Sequence, residues 1–467
     1  MCALALSACM TVGEDFVSPQ TGPTSAGYAM AGDAAPPGVV LGSAAAGPWW
    51  MSLGSAELDA VIRQALANSP SLEEAQAVLE RHQASEAAAR ARTLPQVGIN
   101  ARTERQLFNS QAFGLTGFPN RIFNLFSIGG VVSYDFDLFG ENRRRVEEAG
   151  AQRERAERQA DAAALMLTAN VALEAVRLAG LNAELEAMDL VLSDDRKLLE
   201  LAGRAEKLGG LSRSGVVEIE AQLAQDLAQI PALTKAKDLS RHQLALLSGK
   251  APADWTPPDF RLDDLKVPGS TPVALPSDLV RRRPDILAAE ADLHAATAAA
   301  GVARADEFPK LRLGSSYAQS STELDSLFDT DAKGWSVNGG ISVPIFDGGL
   351  RKANLKVAQA DLKAAQARYR RTVLSAFTQV SDLLSALEND EARVVAIERE
   401  VALAQKDADI TAAGVRLGGT PLLRAIDARR HLSQARRSLA QARANRLQDL
   451  IGLYSATASD WRTAADD

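Results

Sequence analysis

The sequence has 467 residues, 24% of them charged and only 5% aromatic, with a formal net charge of −8. That length allows two or three ordinary domains or one large elongated one, and a mild, evenly spread acidity excludes a basic nucleic-acid binder. The only cysteines are Cys2 and Cys9, which excludes a disulfide framework and cysteine-based metal sites. The histidines (His82, His242, His294, His431) have no paired-ligand spacing and read as helix-surface or packing residues. "SGKAP" lacks the upstream Gly and the Ser/Thr of a P-loop, and no G-x-S-x-G occurs. The chain is therefore expected to be no enzyme, with no cofactor and no metal site.

Residues 1–9 read as the end of a secretory signal: apolar and small residues without a basic region before them. "LSAC" is similar to a bacterial lipobox, which marks Cys9 for lipidation, and a polar segment, 10–54, follows. The longest apolar stretch, "ALMLTANVALEAVRLAGL", carries Glu174 and Arg177, so no inner-membrane helix is expected. Residues 71–94 are Ala-, Glu- and Arg-rich and read as helix until Pro95, which has no N–H to continue it. Beyond it the period becomes two, with strands expected at about 96–106 and 125–137. Phe126, Ile128, Val132, Tyr134 and Phe136 fall on one face; Ser127, Gly129, Ser133, Asp135 and Asp137 fall on the other. A long helix is expected from Glu141 to about Leu208, and a returning helix over 212–248. These elements make a first repeat, 55–250. After a linker, 251–276, the design recurs over 277–455. Helix 285–308 is ended by Pro309, and strands follow at about 311–320 and 335–345. A long helix from about Leu350 to Leu417 and a returning helix over 420–455 complete it, leaving 456–467 as a tail. Both long helices end at Leu-Gly-Gly. Gly209–Gly210 and Gly418–Gly419 suit left-handed helix ends, and Thr420 and Pro421 read as N-cap and first-turn proline.

Each long helix of roughly 68 residues would reach about 100 Å, about the summed length of its two shorter neighbours. One long helix packed against two short ones end to end is the economical arrangement. Val373, Phe377, Val380, Leu384 and Leu387 keep heptad spacing, as do Leu432, Ala435, Leu439 and Ala442 on the returning helix. The strands, with Phe136, Phe139, Phe308 and Phe346 near their ends, have the pattern of transmembrane β-strands, although a half-buried soluble sheet has the same period. Four strands close no barrel, and open edges are not tolerated in lipid, so strands that span a membrane must be pooled from several chains.

Four spaced stretches resemble the outer-membrane factor family, the TolC- and OprM-like ducts of Gram-negative bacteria, in its lipoprotein efflux branch. They are "WWMSLGSAELDAVIRQAL", "VSYDFDLFGENRRR", "LPSDLVRRRPDILAAEADLHAATAAAGVARADEFPKLRL" and "VPIFDGGLRKANLKVAQAD". The resemblance implies a mainly α, internally duplicated, TolC-like chain. It implies a homotrimer whose 12 strands form an outer-membrane β-barrel on a periplasmic α-helical barrel, with Pro95 and Pro309 as the helix-to-strand switches. It further implies a lipid-anchored protein of the cell outer membrane that extends into the periplasm. Its partners would be a periplasmic adaptor, an inner-membrane transporter of the RND class and outer-membrane lipid, with no nucleic acid, and it would pass small molecules outward. A type I protein secretion outlet shares the fold, and a soluble periplasmic coiled-coil scaffold is the alternative of another class.

By the same resemblance, the tips Gly209, Gly210, Gly418, Gly419, Thr420 and Pro421 dock the adaptor and narrow into a periplasmic gate. Asp427 matches an acid of that gate. Gly215 and Arg424 stand where related ducts often carry Asp, which points to a latch in which Arg424 or Arg416 pairs with an acid on a neighbouring helix. "RRRPD" reads as helix-start chemistry, with Pro284 at the start and Asp285 in the first turn.

Overall fold

The computed structural model describes residues 11–19, 27–28, 39–42, 48–114, 117, 119–268, 271–273 and 275–460. Cys2 and Cys9, and with them the lipidation reading, lie outside the described residues. In chain order the elements are β1 (Val39–Leu41), α1 (Ala56–Asn68), α2 (Pro70–Ala91), β2 (Gln96–Phe108) and β3 (Arg121–Phe136). Next come α3 (Glu141–Lys207), α4 (Arg213–Leu227), α5 (Ile230–Leu247), β4 (Thr271–Val273) and α6 (Pro276–Arg282). The chain continues through α7 (Pro284–Ala305), β5 (Lys310–Ser321), β6 (Lys333–Ser342), α8 (Leu350–Arg416) and α9 (Leu422–Ala456). It divides into two compact units, and each unit draws on both halves of the sequence.

One unit comprises residues 1–19, 77–157 and 288–369. Its centre is an antiparallel sheet of order β2-β3-β5-β6. The register sets Val97 opposite Val132, Val132 opposite Ser315, and Ser315 opposite Val337. One face therefore carries Ile99, Ile128, Tyr134, Leu313, Tyr317, Trp335 and Ile341, and the other carries Gln96, Ser133, Gly314, Asn338 and Ser342. Near the loops the alternation relaxes: Arg105, Asn124 and Lys333 share the apolar face, and Phe123 and Leu125 the polar one. Trp335, Val337 and Ile341 are exposed. Pro95 and Pro309 sit directly before β2 and β5. Each long helix starts under an aspartate. Asp137 accepts from the N–H of Asn142 (3.1 Å) and Arg143 (2.9 Å). Asp347 accepts from those of Gly349 (2.9 Å) and Arg351 (3.2 Å).

The second unit comprises residues 20–76, 158–287 and 370–467. Its main core joins Trp49, Trp50, Leu58 and Ile62 to Ala172, Ala175, Val176 and Ala179 of α3 and to Leu450, Ile451 and Tyr454 of α9. Trp49 stacks on Tyr454 at 5.5 Å, and the Trp50 indole donates to Asp59 at 2.9 Å. This explains the early "WW" as an anchor for the end of α9. Arg283 of "RRRPD" is nearly buried. It grips Asp285 with two bonds (2.9 and 2.7 Å) and donates to Gln379 and to the Ala456 carbonyl at the end of α9. Val373, Val380 and Leu384 of α8 and Leu432, Ala435 and Ala442 of α9 are buried, in keeping with the heptad seam.

Several expectations are corrected. The first returning helix is two helices, α4 and α5. Pro231 has no N–H to give the Leu227 carbonyl, so the helix breaks at Ala228–Gln229. β3 starts four residues earlier than expected and ends at Phe136, because Asp137 turns to cap α3. β6 ends at Ser342, leaving Val343 and Ile345 outside it, since Pro344 cannot donate to a ladder. α7 ends at Ala305, and α2 at Ala91. By composition α3 contains a stretch apolar enough to cross a membrane, but Val171, Ala172, Ala175, Val176 and Ala179 of that stretch lie in the core.

Candidate functional site

The two Leu-Gly-Gly tips lie in the second unit and are built alike. At the first, Gly209 has φ 76°, its N–H reaches Glu206 O (2.9 Å), and the Gly210 N–H reaches Ala205 O (2.8 Å). At the second, Gly418 has φ 74°, its N–H reaches Val415 O (3.1 Å), and the Gly419 N–H reaches Gly414 O (2.9 Å). Both are Schellman endings, in which a left-handed glycine closes the last carbonyls. Leu208 and Leu417 remain 86% and 87% exposed, so each tip presents one bare apolar side chain.

Beyond the turns the two returns differ. Ser212 caps α4 by accepting from the Gly215 N–H at 3.3 Å. A Cβ on Gly215 would meet Leu211 Cδ1 at 2.9 Å, so the space an aspartate would need is filled by Leu211. At the other tip Thr420 is not the N-cap. Pro421 takes that position with ψ 141° and no side-chain cap, and the helix starts one residue later than expected. Thr420 instead lies over Gly414, where any side chain would collide with its hydroxyl.

Of the residues expected at a gate, Arg424 meets an acid: its Nη2 donates to both oxygens of Asp407 on α8, at 3.1 and 3.0 Å. Both side chains are about half exposed, a setting in which a pair contributes ~0–1 kcal/mol. Asp427 and Arg416 are exposed, and among the described residues neither forms an ion pair. Among those residues, too, no histidine, cysteine and acidic cluster could hold a metal.

The sequence reading missed a buried carboxyl pair between α3 and α4. Asp195 is 7% exposed and Asp226 6%. Asp226 accepts from the amides of Gln222 (2.7 Å) and Gln229 (3.0 Å), while Asp195 Oδ2 is buried without a hydrogen-bond partner. Burial, and then the neighbouring Asp226 carboxyl, push Asp195 up to about 6, against the opposing charge of Arg430. On α9, Arg429 is engaged by Asp194 (2.5 Å), and Arg437 by Gln229 (2.7 Å). The signal was an "SDD" inside the otherwise helix-core pattern "LVLSDDRKLLELA". A wall of helices with apolar tips and paired charges can line, grip or gate, and offers no nucleophile–base arrangement among the described residues.

The profile of the family described as "Outer membrane efflux protein" matches residues 61–250 and 275–459. The chain is 28% identical over 418 residues to the pyoverdine export outer membrane protein OpmQ of Pseudomonas aeruginosa, spanning 89% of this chain and 88% of that protein. It is 30% identical over 351 residues to the solvent efflux pump outer membrane protein SrpC of Pseudomonas putida, 73% of each. The solved outer-membrane channel OprN is similar with a TM-score of 0.89 at 27% identity, covering 96% of this chain and 99% of that one.

Proposed function

The chain belongs to the outer membrane efflux protein family, and from that premise we propose that it works as the trimeric exit duct of a tripartite pump. It is an outer-membrane efflux channel of TolC-like fold. In our reading three copies pool their sheets into one 12-stranded barrel, and the helices of the two repeats of each chain (55–250 and 277–455) supply a helical wall. The tips Gly209–Gly210 and Gly418–Pro421, with Leu208 and Leu417 bare, dock a periplasmic adaptor that links the duct to an inner-membrane transporter of the RND class. Arg424, Asp427 and Arg416 act at the gate, lipidation at Cys9 supplements the barrel as an anchor, and the duct itself is passive and performs no catalysis.

The observation that carries this reading is the sheet. It has four strands, an apolar face that is largely exposed, and two edges, β2 and β6, with no neighbour among the described residues. Lipid tolerates such a face but not such edges, and only further copies remove them without a partner of another kind. The test compares the two faces. Val132→Arg and Ile341→Arg place a charge on the face read as lipid-facing, which costs ~2–4 kcal/mol at the bilayer midplane and less toward the strand ends, where Ile341 lies. Ser133→Arg and Ser342→Arg place it on the face read as luminal. Heat-modifiable trimers in outer-membrane fractions should fall strongly for the first pair and little for the second. Equal loss from both pairs would remove the membrane-spanning reading.

A further inference from the structure

The segment 11–18 follows Cys9 and belongs to neither repeat, yet it is held at several points. Arg144 of α3 lies beneath it with its side chain 3% exposed. Its guanidinium donates to the Val12 carbonyl (3.4 Å), the Gly13 carbonyl (3.3 Å), Asp15 (2.7 Å) and Glu147 (2.7 Å). Burial alone disfavours that charge, but the bonds to Glu147 and Asp15 outweigh it and hold its pKa raised. The Val12 N–H donates to the Phe139 carbonyl at 3.0 Å. Phe16 stacks on the His294 ring at 4.3 Å, His294 reaches Glu147 at 3.0 Å, and the Ser18 hydroxyl donates to Glu290.

Three glycines open the path. Gly140, at φ 81°, lies so close to Thr11 that a Cβ would meet its Cγ2 at 2.7 Å. Gly13, at φ 100°, would strike the Cα of Gly301 at 2.8 Å if it bore a Cβ. Gly301 in turn is where the Arg144 stem crosses α7, and a Cβ there would meet Cδ at 3.0 Å. Gly301 interrupts the run "AATAAAGVARA", where glycine costs a helix about 1 kcal/mol relative to alanine. What it provides at that cost is a groove between α3 and α7, filled by the segment 11–18.

We propose that residues 11–18 are a docking strap, with Arg144 as its positioning residue, that holds this segment across α3 and α7 near their junctions with β3 and β5. The strap ties a helix of the first half to one of the second through a segment of neither. Because Thr11 is only two residues from Cys9 in the sequence, a lipid on Cys9 would be joined to a docked segment. That last point rests on the membrane reading above; the docking itself does not.

The test uses the full-length protein with Ser18→Cys and Glu290→Cys, side chains already in contact, bridged in cells by a short bifunctional thiol reagent. The parent should cross-link efficiently. Adding Arg144→Ala removes the guanidinium, and adding Gly13→Val blocks the approach to Gly301 without a substitution in either helix; each should lower the yield about tenfold. Arg144→Lys keeps the charge but not the fork, and should fall between. Cys9→Ser should cross-link like the parent, because the clamp and not the lipid holds the strap. Unchanged yield in both Arg144→Ala and Gly13→Val, or loss of yield in Cys9→Ser, would overturn the proposal. In Val132→Arg, a protein that fails to trimerise but still cross-links separates the two questions: the strap's partners all lie in one chain.

Discussion

The two tips share one turn and differ in everything that follows it. After Gly209–Gly210 the chain returns through a side-chain-capped helix of 15 residues, broken before Pro231, with the Asp195–Asp226 pair buried beside the break. After Gly418–Gly419 it returns through one unbroken helix of 35 residues, without a side-chain cap, and spends its charge at the surface in Arg424–Asp407. Identical turns therefore fix where the chain reverses, while the returns set how firmly each reversal is held. The first return places its polar groups inside, where pairing matters most; the second places them outside, where water weakens them.

The largest difference should be seen with pH. The folded-state pKa of Asp195 is raised above its unfolded value, so between about pH 4 and about pH 6 the folded state binds more protons. Stability contributed by this pair is present at the acid end of that window and falls as pH rises through it. Asp195→Asn should flatten that slope and stabilise the α3–α4 contact at pH 7.5 by on the order of 2 kcal/mol. Hydrogen exchange of α4 amides across the window reads it, with α9 amides near Arg424 as the internal reference. An α4 profile that keeps its slope in Asp195→Asn would show that other groups govern the first return.

The contrast between the returns also marks what sequence could reveal. Period-two alternation located the strands, and the register puts Val132 and Ile341 on one face and Ser133 and Ser342 on the other, as the alternation indicates. Left-handed glycines at 209 and 418 were legible because little else tolerates that conformation. Pro231 lies inside the helix expected over 212–248, and its missing N–H breaks that helix in two. The Asp195–Asp226 pair joins residues of different helices, and each aspartate alone reads as a solvated charge. Arg144 is one of three successive arginines in "NRRRVEE", and nothing local singles it out; only the fold brings Val12, Gly13 and Asp15 over it. Thr420 was misplaced for a related reason, since packing over Gly414 decided its role and local capping preference did not.

A smaller effect checks that the turns themselves are equivalent. A Cβ on Gly209 or on Gly418 meets nothing within 4 Å, so alanine at either position costs backbone strain alone. Left-handed backbone costs a side-chain-bearing residue roughly 1–2 kcal/mol. Gly209→Ala and Gly418→Ala should therefore weaken their tips equally, measured as faster exchange of the amides on either side of each turn. Unequal cost would mean that the returns feed back on the turns.

The smallest energies belong to the exposed charges, and there conductance is a sharper reading than stability. The Arg424–Asp407 pair is half exposed and contributes ~0–1 kcal/mol, too little to change folding. If it latches α9 to α8 at the gate, Arg424→Ala should raise the conductance of the closed duct in planar bilayers. Asp427 is exposed and has no partner among the described residues. Three-fold symmetry would set three copies around one axis, where like charges attract cations and repel one another. Asp427→Ala should then weaken cation preference while leaving closed-state leakage alone, the opposite split from Arg424→Ala. Glu388→Ala, a charge removed from the middle of α8, is the control that should change neither. Should all three variants conduct like the parent with unchanged selectivity, Arg424 and Asp427 are solvated helix charges, and the second return holds its tip by the packing of Ala425, Ile426 and Ala428 alone.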